Sequence, residues 1–106
     1  MKKYEVLVGW TVFFVECADG TYFSGLCRNL RKKLWEIDNR QGLYFSKHPE
    51  RLPVKVVFKE VQLPFREAYA KYKYMKEMNR KLKKKLIGTG QWPLGGPLKR
   101  YLIEKS

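Results

Sequence analysis

Two runs of cations give this 106-residue chain its chemical character. The first is Arg28, Arg31, Lys32 and Lys33. The second is Lys73, Lys76, Arg80, Lys81, Lys83, Lys84 and Lys85, with Glu77 the one acid between Lys71 and Lys85. Side chains of this kind neutralise phosphates and release the counterions condensed on a polyanion. The formal net charge of +13 exceeds what solubility asks of a domain this size, so the expected partner is nucleic acid, RNA or DNA. Other chemistries find little to work with. His48, the only histidine, lies in a polar stretch without an orienting carboxylate and is not expected to act as a general base. Cys17 and Cys27 form no Cys-x-x-Cys pair, so no metal site is expected.

These side chains need elements to hold them. Residues 10–17 and 21–27 read as a hairpin, because Trp10, Val12 and Phe14 alternate with Thr11, Phe13 and Val15 and Ala18-Asp19-Gly20 supplies the turn. Asn29 caps a helix over 29–39 with Leu30, Leu34 and Ile37 on its apolar face. The cations at its start oppose the helix dipole, which suits a negative partner or a solvated face. Asn39 or Gly42 ends it in the left-handed conformation. Residues 43–52 read as a polar loop. Its Tyr44 and Phe45 either stack on unpaired bases or fold back on the core, the second being favoured because so short a chain has little core to spare.

Pro53 opens a third strand over 53–60, in which Val54, Val56 and Phe58 alternate with Lys55, Val57 and Lys59. Pro64 opens a second helix, with Phe65, Ala68, Tyr69, Tyr72, Met75 and Met78 spaced to pack on the sheet. Asn79 caps a short third helix that ends at Gly88. Residues 88–97 are turn-rich, with Trp92 as an anchor, and residues 98–103 form a last helical turn or a short strand. Met1 to Val8 is extended in character and lengthens the first strand. Glu5 interrupts the apolar stretch that follows Lys2 and Lys3, so no secretion signal is read there, and no apolar run reaches the roughly 18 residues of a membrane span. Cys17 and Cys27 fall at opposite ends of the hairpin, too far apart to bridge, and read as reduced thiols of a cytoplasmic protein.

The expected fold class is therefore α+β: a small antiparallel three-stranded sheet flanked by helices in the order β-β-α-β-α-α. Residues 1–88 form the domain, and 89–106 are a tail containing glycine and proline, packed on the same domain.

Four motifs in this order carry a family resemblance. They are Cys17-Ala18-Asp19-Gly20 after an apolar strand; Phe23-Ser24-Gly25 before a basic helix; Leu52-Pro53-Val54-Lys55-Val56-Val57-Phe58; and Glu67-Ala68 followed by Met75-Lys76-Glu77-Met78-Asn79-Arg80 and Lys84-Lys85-Leu86-Ile87. Together they resemble the GIY-YIG nuclease domain in its small single-domain form, over residues 8 to 88. That resemblance implies hydrolysis of phosphodiesters with one divalent metal. A first-strand tyrosine helps to activate water, a second-strand tyrosine and a helix arginine support the phosphate, a histidine or tyrosine follows one turn on, and a glutamate of the second helix holds the metal.

On this sequence the two tyrosines fall on Phe13 and Phe23, the arginine on Lys33, the histidine on Ile37 and the metal glutamate on Tyr72. Phenylalanine has no hydroxyl, lysine lacks the planar fork of arginine, and tyrosine is a poor ligand for magnesium at neutral pH. A shift of one residue does not repair the match, because Tyr22 points to the opposite face from Phe23. The resemblance thus implies a degenerate member with no catalytic residues and no cofactor. It would bind nucleic acid through the eleven cations named above, with RNA slightly favoured over DNA and no membrane partner. One version is a structural component of a ribonucleoprotein such as a ribosome, beside other proteins. The alternatives are a magnesium-dependent endonuclease with Glu67 or Glu77 as a substitute ligand, and a basic module docked on an acidic protein or membrane surface.

Overall fold

A computed structural model describes residues 9–41 and 43–93, with Leu43 described in its backbone alone. The expectations for residues 1–8, Gly42 and 94–106 lie outside the described residues. Strands β1 (Trp10–Glu16) and β2 (Tyr22–Cys27) form the hairpin. Helix α1 (Leu30–Asp38), a short helix α2 (Leu43–Lys47) and a 3-10 turn (Pro49–Arg51) follow. Strand β3 (Lys55–Leu63) and helices α3 (Phe65–Glu77) and α4 (Arg80–Thr89) complete the described chain. The sheet order is β2-β1-β3, with β1 antiparallel to both neighbours. The architecture is thus α+β with the expected element order, plus one short helical insert.

The central strand buries both faces. Val12 and Phe14 join Ala68, Tyr74, Met75, Met78 and Leu86 in a layer under α3 and α4. Phe13, Val15 and Cys17 join Ile37 and Phe45 in a layer under α1 and α2. The strand period of two separates these sets. The turn forms as its residues dictate: Gly20 takes φ 84, and Asp19 Oδ1 accepts hydrogen bonds from the Thr21 N–H (3.1 Å) and hydroxyl (2.6 Å). Those two bonds, helped by Arg51, hold the Asp19 carboxyl below the usual carboxylate range. Arg51 Nε lies 3.3 Å from Asp19 Oδ2, and the Arg51 carbonyl accepts from the Ala18 N–H at 2.8 Å. The hairpin tip is thereby tied to the 3-10 turn.

Asn29 and Asn79 cap α1 and α4 by accepting from the Lys32 and Leu82 N–H groups. Several expectations need correction. The left-handed residue after α1 is Arg40 (φ 57), whereas Asn39 stays at φ −99. The Gln41 and Arg40 N–H groups donate to the Glu36 and Ile37 carbonyls, which is the Schellman arrangement. Residues 43–47 are helical, not loop. Strand β3 begins at Lys55 rather than Pro53 and continues past residue 60 through a register shift in which Gln62 has φ 58. Pro64 is the cap of α3, with extended backbone, not its first helical residue. Helix α4 runs through Gly88 to Thr89 and is closed by Gly90 at φ 71.

Candidate nucleic-acid interface

The positions that the resemblance singles out divide between the two layers. Phe13 and Ile37 are buried in the layer under α1, and Phe23 packs against it. Phe13 stands opposite Gly25 across β1 and β2. Its ring lies over that glycine so closely that a Cβ there would overlap the ring. Phe23 packs on Tyr44 (centroids 4.8 Å) and Phe45 (5.0 Å). Tyr44 and Phe45 therefore fold back on the core, and Phe45 is buried. The Tyr44 hydroxyl accepts a hydrogen bond from Arg51. Tyr22 packs on the opposite layer, as its neighbour position requires.

Lys33 is half-buried near Cys27. Burial pushes the Cys27 thiol up, against the pull of that ammonium; burial raises Cys17 as well. Both cysteines are free thiols, and β1–β2 pairing places Cys27 opposite Thr11, at the far end from Cys17. Tyr72 packs against the other layer, beneath the Lys76 ammonium at 5.2 Å from its ring centroid.

A hard divalent cation at the family's position needs a carboxylate on α3. Tyr72 offers a phenol instead, and Glu67 is committed to Lys71 Nζ at 2.9 Å. Among the described residues, no three His, Cys, Asp or Glu side chains converge. The phenol of Tyr72 thus does not suit the metal that the resemblance implies at that position. His48 does have a carboxylate beside it, Glu50 at 3.3 Å from Nδ1. Both side chains are well exposed, so the contact is a surface pair and does not aim a base into a cleft.

Sequence reasoning missed the role of Lys71. It is buried, with its ammonium bonded to Glu60 and to Glu67, and it lies 5.1 Å from the Trp92 ring centroid. Trp92 Nε1 donates to Glu60 Oε2 at 3.3 Å, and the indole packs edge-on against Phe58. The spacing of Glu67 and Lys71, one helical turn apart, was the available signal; Glu60 comes from another element. Lys71→Met is expected to cost about 2–4 kcal/mol, because two carboxylates would then face each other without a cation. Adding Glu60→Gln and Glu67→Gln should restore most of the loss in chemical denaturation. A loss within about 0.5 kcal/mol for Lys71→Met alone would show the cluster to be ordinary surface.

The cations also divide. Arg31 and Lys32 are exposed on α1, on one side of the sheet. Lys73 and Lys76 on α3 and Lys81, Lys84 and Lys85 on α4 are exposed on the other side. Arg80 donates to the Gly20 carbonyl at 3.3 Å and covers the Tyr22 ring. Lys83 is half-buried, with its ammonium 6.0 Å from the Phe14 ring centroid. Arg28 lies over Trp10 at the end of β2. The larger basic surface is thus the α3–α4 side. Among the described residues, no helix is long and apolar enough to cross a membrane.

No family model matches the chain, and no significant match to a solved structure exists. Curated relatives do match. A UPF0213 protein of Staphylococcus saprophyticus is 30% identical over 79 residues, covering 74% of this chain and 94% of the relative. A UPF0213 protein of Clostridium perfringens is 31% identical over 78 residues, 74% of this chain and 82% of the relative. One from Bacillus cereus is 29% identical over 79 residues, 74% and 80% of the two chains.

Proposed function

The chain belongs to the UPF0213 protein family, and from that premise we propose that it is a GIY-YIG-like domain that has lost hydrolytic chemistry and binds nucleic acid. RNA is slightly favoured over DNA, and the role is structural, within a ribonucleoprotein. The observation that carries this reading is what fills the family's site. Phe13 lies on Gly25, Phe23 lies on Tyr44 and Phe45, and Ile37 closes the same layer. Groups that would activate water or stabilise a phosphorane are replaced by packing.

The α3–α4 side keeps its exposed cations. Ammonium groups on a folded frame give a polyanion affinity and orientation but little sequence preference. A basic module for acidic proteins would use the same charge, so the test compares ligand classes directly. Full-length protein is titrated at physiological salt with an RNA stem-loop, duplex DNA, a polyglutamate peptide and anionic vesicles. Tight binding to the nucleic acids, with RNA ahead and little binding to peptide or vesicle, is expected. Equal or tighter binding to the peptide or vesicles would overturn the reading.

A further inference from the structure

Phe65 and Tyr69 have the spacing of core residues, yet 37% and 45% of their surface is exposed. They are not isolated. The Trp10 ring meets Phe65 edge-on at 4.9 Å between centroids, and Phe65 lies 5.7 Å from Tyr69. Arg28 covers Trp10 at one end of this row, and Lys73 lies 5.6 Å from the Tyr69 ring centroid at the other. Lys76 over Tyr72 and Arg80 over Tyr22 extend the pattern towards the hairpin. At 3.6 residues per turn, Phe65, Tyr69, Tyr72, Lys73 and Lys76 occupy a sector of about 100° on α3. That sector contains no carboxylate.

We propose that this outer face of α3 is a stacking platform for unpaired bases, so that the ligand is single-stranded or looped nucleic acid. The proposal deepens the nucleic-acid reading above and rests on it. A row of ring faces suits bases, each of which presents a π-face whatever its identity. The cations beside Trp10, Tyr69 and Tyr72 suit the phosphates that link successive bases. Lysine stems are flexible, so an ammonium that covers a ring in the free protein can swing to a phosphate and release that face. A duplex keeps its bases stacked on each other and offers such a row only its backbone.

The test uses an oligouridylate of about twelve nucleotides and an RNA duplex of the same length. Binding is read by fluorescence anisotropy over a range of salt. Phe65→Ala with Tyr69→Ala should weaken single-strand binding about tenfold or more and leave duplex binding and the salt slope unchanged, since no charge is removed. Phe65→Leu with Tyr69→Leu keeps apolar bulk without a ring face. It should behave like the alanine pair, and it serves in its place if that pair melts early. Unchanged single-strand affinity, equal losses for single strand and duplex, or rescue by leucine would each overturn the platform while the nucleic-acid reading stands. Failure of the parent protein to bind these RNAs and also single-stranded and duplex DNA of the same length would instead overturn the nucleic-acid reading, and the platform with it.

Discussion

Gly25→Ala is expected to destabilise the fold by about 3 kcal/mol, more than a single added methyl usually costs. The new Cβ would overlap Phe13 Cζ and stand 2.5 Å from Cε1 and 2.9 Å from Cε2. These are ring atoms of a fully buried residue, not the end of a flexible stem. The ring cannot retreat, because Val15, Ile37 and Phe45 share its layer. An aromatic ring laid over a strand glycine also shields backbone that no side chain covers. Phe13→Val should cost about 1–3 kcal/mol by leaving a cavity. Together the two substitutions should cost clearly less than their sum, with a coupling of about 2 kcal/mol in a denaturation cycle. Strict additivity would mean that ring and glycine do not share the space. The result bears on function because residue 13 is where the GIY-YIG resemblance would place a water-activating tyrosine. A strong coupling identifies the side chain there as structural filler.

The largest effect on binding is expected from Lys81→Glu, Lys84→Glu and Lys85→Glu combined. These three side chains are exposed on α4. Lys83 and Arg80 are left alone because they rest on Phe14 and Tyr22 and help to hold the fold. The triple reversal should lower nucleic-acid affinity at least about a hundredfold near physiological salt. It should also flatten the slope of log affinity against log salt by about 2–3. Reversal of Arg31 and Lys32 across the sheet should cost less, because fewer cations stand exposed there. A triple variant with unchanged affinity and slope would remove α4 from the interface. The melting temperature is measured alongside, so that loss of fold is not read as loss of contact.

Local chemistry was the most legible part of the sequence. Asn29 and Asn79 cap helices and Gly20 turns the hairpin because each acts within three residues of itself. Period-two alternation put Phe13 and Phe23 on one face and Tyr22 on the other. Helix α2 escaped notice because five residues are too few to display a helical period. Alternation alone does not reveal the end of β3, because a register shift with Gln62 at positive φ carries the strand past it. Phe65 and Tyr69 have types and spacing that suit the core. The face of α3 that packs inward is instead set by Ala68, Lys71, Tyr74 and Met75. The Lys71 cluster was invisible as a unit, since Glu60 and Trp92 reach it from elsewhere in the chain. Likewise only the fold shows Tyr72 packed on the layer opposite Phe13, Phe23 and Ile37.

The central claim, binding without cleavage, is tested most directly by one gel. Purified protein is incubated with end-labelled RNA stem-loop, duplex DNA and branched DNA, with magnesium and with chelator, and each mixture is run under native and denaturing conditions. The account predicts the same shift with magnesium and with chelator, and full-length strands throughout. Shortened strands that form only with magnesium, and disappear with Glu67→Gln or Glu77→Gln, would contradict it and establish a rebuilt hydrolytic site.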